Sequence, residues 1–221
     1  MISPSLFKRH YSGPLNLQAF PSVLRVAKHE AGHYIAGRVL GFRSDGFAVT
    51  FSDPSGESYS GTAGIFLNAN LPTVESIADY AERRVQVLFA GVFAESLRQG
   101  TGRVDAEKAA DYLQKGGASD FGKAREQMQL LLSLRHGRLD DERGSDSLIQ
   151  AINDELWLKA RLLVEEEHEF IEGIAMNLAQ RVKDIGVEYR MEEADISALP
   201  RIRERFGLAE AQPAEKAAAG G

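Results

Sequence analysis

The pentapeptide His29-Glu30-Ala31-Gly32-His33 constrains this chain more than any other feature of its sequence. In a helix, residues four positions apart lie on one face, so both imidazoles point towards the same place. Glu30 lies one position further round the helix, within reach of a water molecule on a metal ion held by that pair. Zinc hydrolases need two nitrogen ligands, a carboxylate base and an open coordination position. The pentapeptide therefore predicts a catalytic zinc site on a helix.

The alternative for this segment is an amphipathic helix that carries two histidines without binding a metal. The chain has only five histidines, and two of them have the spacing of metal ligands. The flanking residues predict a buried helix, in which two imidazoles need polar partners. These flanking residues are Val23, Val26, Ala27, Tyr34, Ile35, Val39 and Leu40. The metal site is therefore the favoured interpretation.

The composition of the 221 residues is that of a folded protein, with 43% hydrophobic residues. The chain has no cysteine, which leaves histidine, aspartate and glutamate as metal ligands. The formal net charge of -6 argues against nucleic acid as the main partner. No apolar run approaches the roughly 18–20 residues of a membrane span, and residues 1–11 lack the apolar region of a secretory signal. We therefore expect a soluble, cytoplasmic protein.

Sequence patterns predict a mainly α-helical fold with a small β-hairpin or sheet. The first helix is expected to start at Pro21 and to end near Leu40, where Gly41 follows. Residues 47–51 and 59–67 are strand-like and flank a turn, which predicts a hairpin directly after the metal-binding helix.

Apolar residues at steps of three and four predict helices in the rest of the chain. These helices are expected from Pro72 to near Gly100, at 105–115, from a cap at Ser119, and at 148–182 with a break near Gly173. Residues 136–146 are expected to form a loop, and the run at 165–167 a solvated acidic face. At the level of domains we expect an arm (1–20), one domain with the metal site (21–205) and a disordered tail (206–221).

Two histidines rarely suffice, because a catalytic zinc ion usually has three protein ligands. Asp120 is the preferred third ligand, since it follows small residues at the first turn of a predicted helix. An equally good interpretation from physics alone is an aspartate favoured there by the helix dipole. Glu95 could be a ligand, an acceptor that orients an imidazole, or an exposed helix charge. Asp105 is the remaining carboxylate candidate, and His168 is expected at the surface.

Several segments resemble the peptidase domain of the FtsH-type ATP-dependent zinc metalloproteases. His29 to His33 followed by Tyr34-Ile35-Ala36-Gly37 is similar to its metal-binding helix. Ala90 to Glu95 is similar to its Gly-x-x-Ala-Glu helix, and Gly117-Ala118-Ser119-Asp120 to its Gly-Ala-Ser-Asn-Asp segment. The resemblance covers roughly residues 21–200, in the order that the family has.

The resemblance implies a zinc metallopeptidase domain with a mostly helical fold. It implies that His29 and His33 bind zinc together with Asp120, and that Glu30 is the general base. The stretch between Glu95 and Asp120 is longer than in the family, which keeps Asp105 open as an alternative ligand.

The family normally carries an AAA ATPase module, and no Walker-type phosphate-binding motif occurs in this sequence. We therefore expect a zinc endopeptidase that acts without its own ATPase on unfolded or extended polypeptides. A separate ATPase and a homo-oligomer are open possibilities for its partners. A non-hydrolytic, zinc-stabilised adaptor and a narrow regulatory peptidase with one partner protein are the alternative functions.

Overall fold

The computed structural model describes residues 13–67, 69–114, 118–137 and 142–206 of the chain. These residues form eight α-helices: α1 (Phe20–Val39), α2 (Val74–Glu95), α3 (Ala106–Gln114), α4 (Ala118–His136), α5 (Glu142–Glu166), α6 (His168–Arg181), α7 (Glu193–Ser197) and α8 (Pro200–Phe206). They also form five strands: β1 (Gly13–Pro14), β2 (Arg43–Phe51), β3 (Tyr59–Phe66), β4 (Asp184–Ile185) and β5 (Glu188–Glu192). The prediction of a mainly helical fold with a small sheet is confirmed.

Helix α1 lies at the centre of the fold and carries the pentapeptide. It begins at Phe20 with Pro21 in its first turn, and Leu40 caps its end before Gly41, as the sequence predicts. Its second half is buried on every side, because it packs against α2, α6 and the strands β2 and β3. Gly32 of α1 faces Ala90 and Ala94 of α2, and these small residues let the two helices approach closely.

Helix α2 starts where the sequence predicts it. The Thr73 side chain accepts a hydrogen bond from the Ser76 backbone at 3.1 Å, and the Ser76 hydroxyl accepts one from the Thr73 backbone at 3.0 Å. The helix ends at Glu95 rather than near Gly100, because Leu97 leaves it to form a β-bridge with Val104.

The predicted hairpin is part of a three-stranded antiparallel sheet with the order β3-β2-β5. Val49 of β2 lies opposite Gly61 of β3 on one side and Tyr189 of β5 on the other. The sequence pattern does not predict β5, because only one of its five residues, Met191, is fully buried. The turn pattern at 53–56 does join β2 to β3.

The C-terminal helical region divides at a different place from the one expected. Helices α5 and α6 separate at Glu167, not near Gly173, and the Glu167 side chain pairs with Arg205 of α8. Glu167 is only 1% exposed, so the prediction of a solvated face is wrong for this residue. Helix α5 begins at Glu142, so 142–146 are helical and not a loop; residues 138–141 lie outside the described part.

Part of the predicted N-terminal arm packs onto the rest of the fold. Gly13 and Pro14 of the predicted arm pair with β4, and Ala19 is buried. The predicted tail lies outside the described residues except for Phe206. No helix of the described residues is both long and apolar enough to cross a membrane.

Candidate metal centre

Helix α1 brings His29, Glu30 and His33 to one place, where it faces α2 and the first turn of α4. The Nε2 atoms of His29 and His33 lie 3.0 Å apart. His33 is 7% and Glu30 is 6% exposed, whereas His29 is half-buried. The spacing of four residues thus produces the convergence that the sequence predicts.

The Nδ1 atoms of both histidines are held by oxygen atoms of helix α2. His33 Nδ1 lies 2.8 Å from the Val87 carbonyl oxygen, and His29 Nδ1 lies 2.9 Å from a Glu95 carboxylate oxygen. Because these oxygens only accept hydrogen bonds, each Nδ1 carries the hydrogen and donates it. In the neutral imidazoles both Nε2 atoms therefore present lone pairs to the same point, as metal ligands do.

Asp120, in the first turn of α4, completes the group. Its Oδ2 atom lies 3.1 Å from His33 Nε2 and 3.5 Å from His29 Nε2. Bonds of about 2.0–2.1 Å in a tetrahedral zinc site place ligand atoms about 3.3 Å apart, close to these separations. His29, His33 and Asp120 could therefore hold a metal ion.

The charges around the centre favour a shared cation between these three groups. Burial opposes a charge on His29, but hydrogen bonds to Asp120 and Glu95 outweigh it and raise the pKa of His29 to about 10. Burial also opposes the charge on Asp120, but hydrogen bonds to His29 and His33 hold the pKa of Asp120 well below its usual range. A proton or a metal ion can supply the positive charge that this arrangement favours.

Glu30 lies in a buried position beside the three candidate ligands. Burial raises the pKa of Glu30, although the neighbouring charges of His33 and His29 act in the opposite direction. A carboxylate whose pKa is raised is a better acceptor for a proton from water near neutral pH. The backbone of Gly61 in β3 packs directly against this carboxylate, and any side chain at that position would collide with it.

Asp105, Glu95 and His168, the other candidates for the third ligand, have different partners in the structure. Asp105 accepts a hydrogen bond from the Lys108 backbone at 3.2 Å and pairs with Arg98, so it caps α3. Glu95 orients His29 and forms an ion pair with Arg25; its side chain is 4% exposed. His168 is half-buried, not at the surface, and its Nδ1 atom lies 2.9 Å from the Glu165 carbonyl oxygen.

Gly91 has a role in the site that the motifs of the sequence do not predict. It lies on α2 opposite the two imidazoles, and a methyl group there would come within 2.5 Å of His33 Nε2 and 2.8 Å of His29 Nε2. Only a hydrogen fits at this position while both ligand nitrogens keep their places. A glycine inside a buried apolar helix is the available sequence signal, because it costs helix stability and needs a packing reason.

We expect Gly91→Ala to weaken zinc binding by about 10–100-fold, the range found when the orientation of a metal ligand is disturbed. The reason is the displacement of both imidazoles by the added methyl group. Zinc affinity is measured by competition with a chromophoric chelator. Gly122→Ala is the matched control, since a methyl group there on α4 meets nothing within 4 Å. Equal zinc affinities of the two variants would contradict this packing role.

Glu95→Gln is expected to weaken zinc binding by about 10–100-fold while leaving the fold intact. Glutamine keeps the shape of the side chain but removes the negative charge that His29 Nδ1 and Arg25 share. The same chelator competition measures the effect, with the exposed Glu107→Gln on α3 as the control. Unchanged affinity in Glu95→Gln would show that the carboxylate does not support the ligand.

No protein-family model matches this chain, and no curated protein matches it in sequence. The geometry of the site is therefore the observation from which a function can be inferred.

Proposed function

We propose that this protein is a zinc-dependent metallopeptidase that hydrolyses peptide bonds of unfolded or extended polypeptides. The observation that carries the proposal is the convergence of His29 Nε2, His33 Nε2 and an Asp120 oxygen beside the buried carboxylate of Glu30. A site that binds zinc only for stability has no need of such a base, which favours hydrolysis over an adaptor role.

The proposal includes an FtsH-peptidase-like zincin fold. The similar segments named above carry the residues at the centre: His29 and His33 on α1, Gly91 and Glu95 on α2, and Asp120 on α4. The extra length between Glu95 and Asp120 contains α3, which packs against α2 and α4. This arrangement supports the resemblance, since the additional helix leaves the donor atoms of the site in contact.

Each residue of the site has its own role in the proposed hydrolysis. A zinc ion bound there would lower the pKa of a coordinated water towards about 7 and polarise the carbonyl of the scissile bond. Glu30 takes a proton from the attacking water on its carboxylate and then delivers it to the nitrogen of the leaving amine. Glu95 and the Val87 carbonyl keep the His29 and His33 rings in place during these transfers.

Strand β3 lies at the edge of the sheet, beside the candidate metal centre, and could pair with an extended substrate. Among the described residues, β3 pairs only with β2, so its outer edge has free backbone groups. Gly61 in this strand touches Glu30, and Thr62 and Ala63 line the cavity at the metal centre. A polypeptide that pairs with this edge would pass the base, and the pairing would recognise main chain rather than a particular sequence.

N-methylation of single residues in a substrate peptide should raise KM with a period of two along the peptide. Alternate residues of a paired strand direct their N–H groups towards the neighbouring strand, and methylation removes that hydrogen bond. We expect an increase in KM at every second position and little change between them. Steady-state kinetics on a singly methylated peptide series measures this pattern. A uniform effect, or none, would contradict pairing with β3.

The first test of the function is metal content together with hydrolysis by the full chain. Elemental mass spectrometry is expected to find one zinc ion per chain, and casein and a fluorogenic peptide should be cleaved. Removal of the metal with a chelator should abolish cleavage, and zinc should restore it. Stoichiometric zinc without cleavage would favour the adaptor, or an enzyme that needs a separate ATPase. Absence of metal from protein offered zinc would refute the proposal.

A further inference from the structure

A cavity of about 150 Å³ adjoins the metal centre and carries a positive charge that the chemistry proposed above does not use. It is lined by Glu30, His33 and Asp120 and by residues of β3. Arg84 of α2 and Lys123 of α4 also line it. A substrate at the proposed active site would therefore meet two cationic side chains.

Within the part of the chain that the structure describes, Arg84 has no anionic partner, unlike Arg25 and Lys123 near the site. Among the described residues it makes no hydrogen bond or ion pair, whereas its neighbour Arg83 bonds Asp79 and the Leu40 carbonyl. Arg84 is half-buried, and burial lowers the pKa of Arg84, although the charge of Asp120 acts in the opposite direction. An arginine stays charged at neutral pH all the same. A partly desolvated guanidinium without a carboxylate is unfavourable, and an anionic ligand would relieve that cost.

Lys123 already forms an ion pair with Asp120. Of the two cations that line the cavity, Arg84 is therefore the one that can bind an added carboxylate. The Lys123 ammonium lies 3.2 Å from Asp120 Oδ1 and its side chain is 55% exposed, so it sits at the rim. The carboxylates of Glu30 and Asp120 balance the charges of Arg84 and Lys123. A divalent metal ion on the three donor atoms would then give the cavity a surplus of positive charge. This surplus attracts carboxylates and repels cationic side chains.

Arg84 also lies close to the reacting centre in the fold. It is one helical turn before Val87, whose carbonyl holds the His33 ring, and on the same α2 face towards the cavity. The edge residues Thr62, Ala63 and Ile65 line the same cavity. A side chain of a peptide paired with β3 could therefore enter this space while the peptide backbone passes the metal centre.

We propose that Arg84 makes this protein select polypeptide substrates that present a carboxylate near the scissile bond. The guanidinium and a carboxylate form two parallel hydrogen bonds, a geometry that lysine cannot reproduce. The carboxylate comes from an aspartate or glutamate side chain or from the C-terminus of the substrate. This inference rests on the proposed peptidase function for its setting, but recognition of the carboxylate can be measured separately from hydrolysis.

The test uses fluorogenic peptides that differ only in glutamate or glutamine at each position around the cleaved bond. One series has a free C-terminus and the other an amidated C-terminus. We expect kcat/KM to favour the carboxylate by about 10–100-fold at one position, the range for hydrogen bonds to charged groups. A preference in the glutamate series identifies a side-chain source, and a preference confined to free C-termini identifies the terminal carboxylate. Equal kcat/KM for all these peptides would overturn the proposal.

The variant Arg84→Gln is expected to bring the ratio of kcat/KM for the two peptides to about one. Arg84→Lys keeps the charge without the paired hydrogen bonds and should retain only part of the preference. Arg125→Ala removes an exposed cation of α4 and should keep the full wild-type ratio. A preference that survives in Arg84→Gln with normal zinc content would assign the selectivity to another group and overturn the role of Arg84.

Binding to the zinc-loaded Glu30→Gln protein gives a readout that needs no turnover. Fluorescence anisotropy should show tighter binding of the glutamate or free-C-terminal peptide, and the double variant with Arg84→Gln should lose this difference. Carboxylate-selective binding without cleavage by wild-type protein would refute the peptidase function but support this recognition. Cleavage without any selectivity in rate or binding would do the reverse.

Discussion

Replacement of Glu30 by glutamine should leave zinc binding intact and reduce kcat for peptide hydrolysis by about 10²–10⁴-fold, the usual contribution of a general base. Glutamine fills the same buried space against Gly61 but cannot take up a proton from water. The candidate ligands His29, His33 and Asp120 contact one another directly, and Glu30 is not part of these contacts. Elemental mass spectrometry and steady-state cleavage of one peptide measure the two effects in the same preparation.

The control is Glu126→Gln, a change at an exposed position of α4. This variant is purified in the same way and should retain both zinc and activity. Full activity of Glu30→Gln would mean that another group takes the proton, and the proposed mechanism would be wrong. Loss of both zinc and activity would assign Glu30 to metal binding instead. The expected result, zinc without hydrolysis, is specific to a base that does not bind the metal.

Asp120→Ala should abolish stoichiometric zinc binding and with it the hydrolysis. The change removes the oxygen atom that lies 3.1 and 3.5 Å from the two histidine nitrogens and leaves only two ligands. The loss of affinity should exceed the roughly 10–100-fold that follows from losing a residue that only orients a ligand. Titration of metal-free protein with zinc, monitored by calorimetry, measures the change.

Asp105→Ala is the matched control, because Asp105 is the alternative carboxylate and caps α3 instead. It should keep wild-type zinc affinity and lower the free energy of unfolding, because α3 loses its cap. Wild-type zinc affinity in Asp120→Ala, with loss in Asp105→Ala, would transfer the third ligand to Asp105. The two variants together therefore decide between the carboxylates that the sequence left open.

Several helix boundaries could be predicted because the signals that set them are local. Pro21 and Gly41 limit α1, and Pro72 and Thr73 precede the start of α2; each signal acts within one helical turn. Strand β5 could not be predicted in this way. Its residues Glu188, Arg190 and Glu192 are polar, and Met191 becomes buried only because β2 lies beside it.

The surroundings of charged side chains also depend on segments that are distant in the sequence. Glu167 belongs to a run of three acidic residues, a pattern that predicts a solvent-exposed face. In the fold the Glu167 side chain is buried, and Arg205 of α8 forms an ion pair with it. Arg84 is similar, since nothing in its sequence neighbourhood distinguishes it from Arg83. Its position on the cavity wall depends on how α2, α4 and β3 pack together.

For the candidate metal centre, the sequence by itself placed His29, Glu30 and His33 together, because one helix fixes residues four apart on one face. It named Asp120, Glu95 and Asp105 as candidates but could not assign their roles from physical reasoning alone. Only the tertiary structure decided that Asp120 faces both Nε2 atoms, Glu95 holds His29, and Asp105 caps α3. These roles depend on distances between α1, α2 and α4, which are set by packing between segments far apart in the chain.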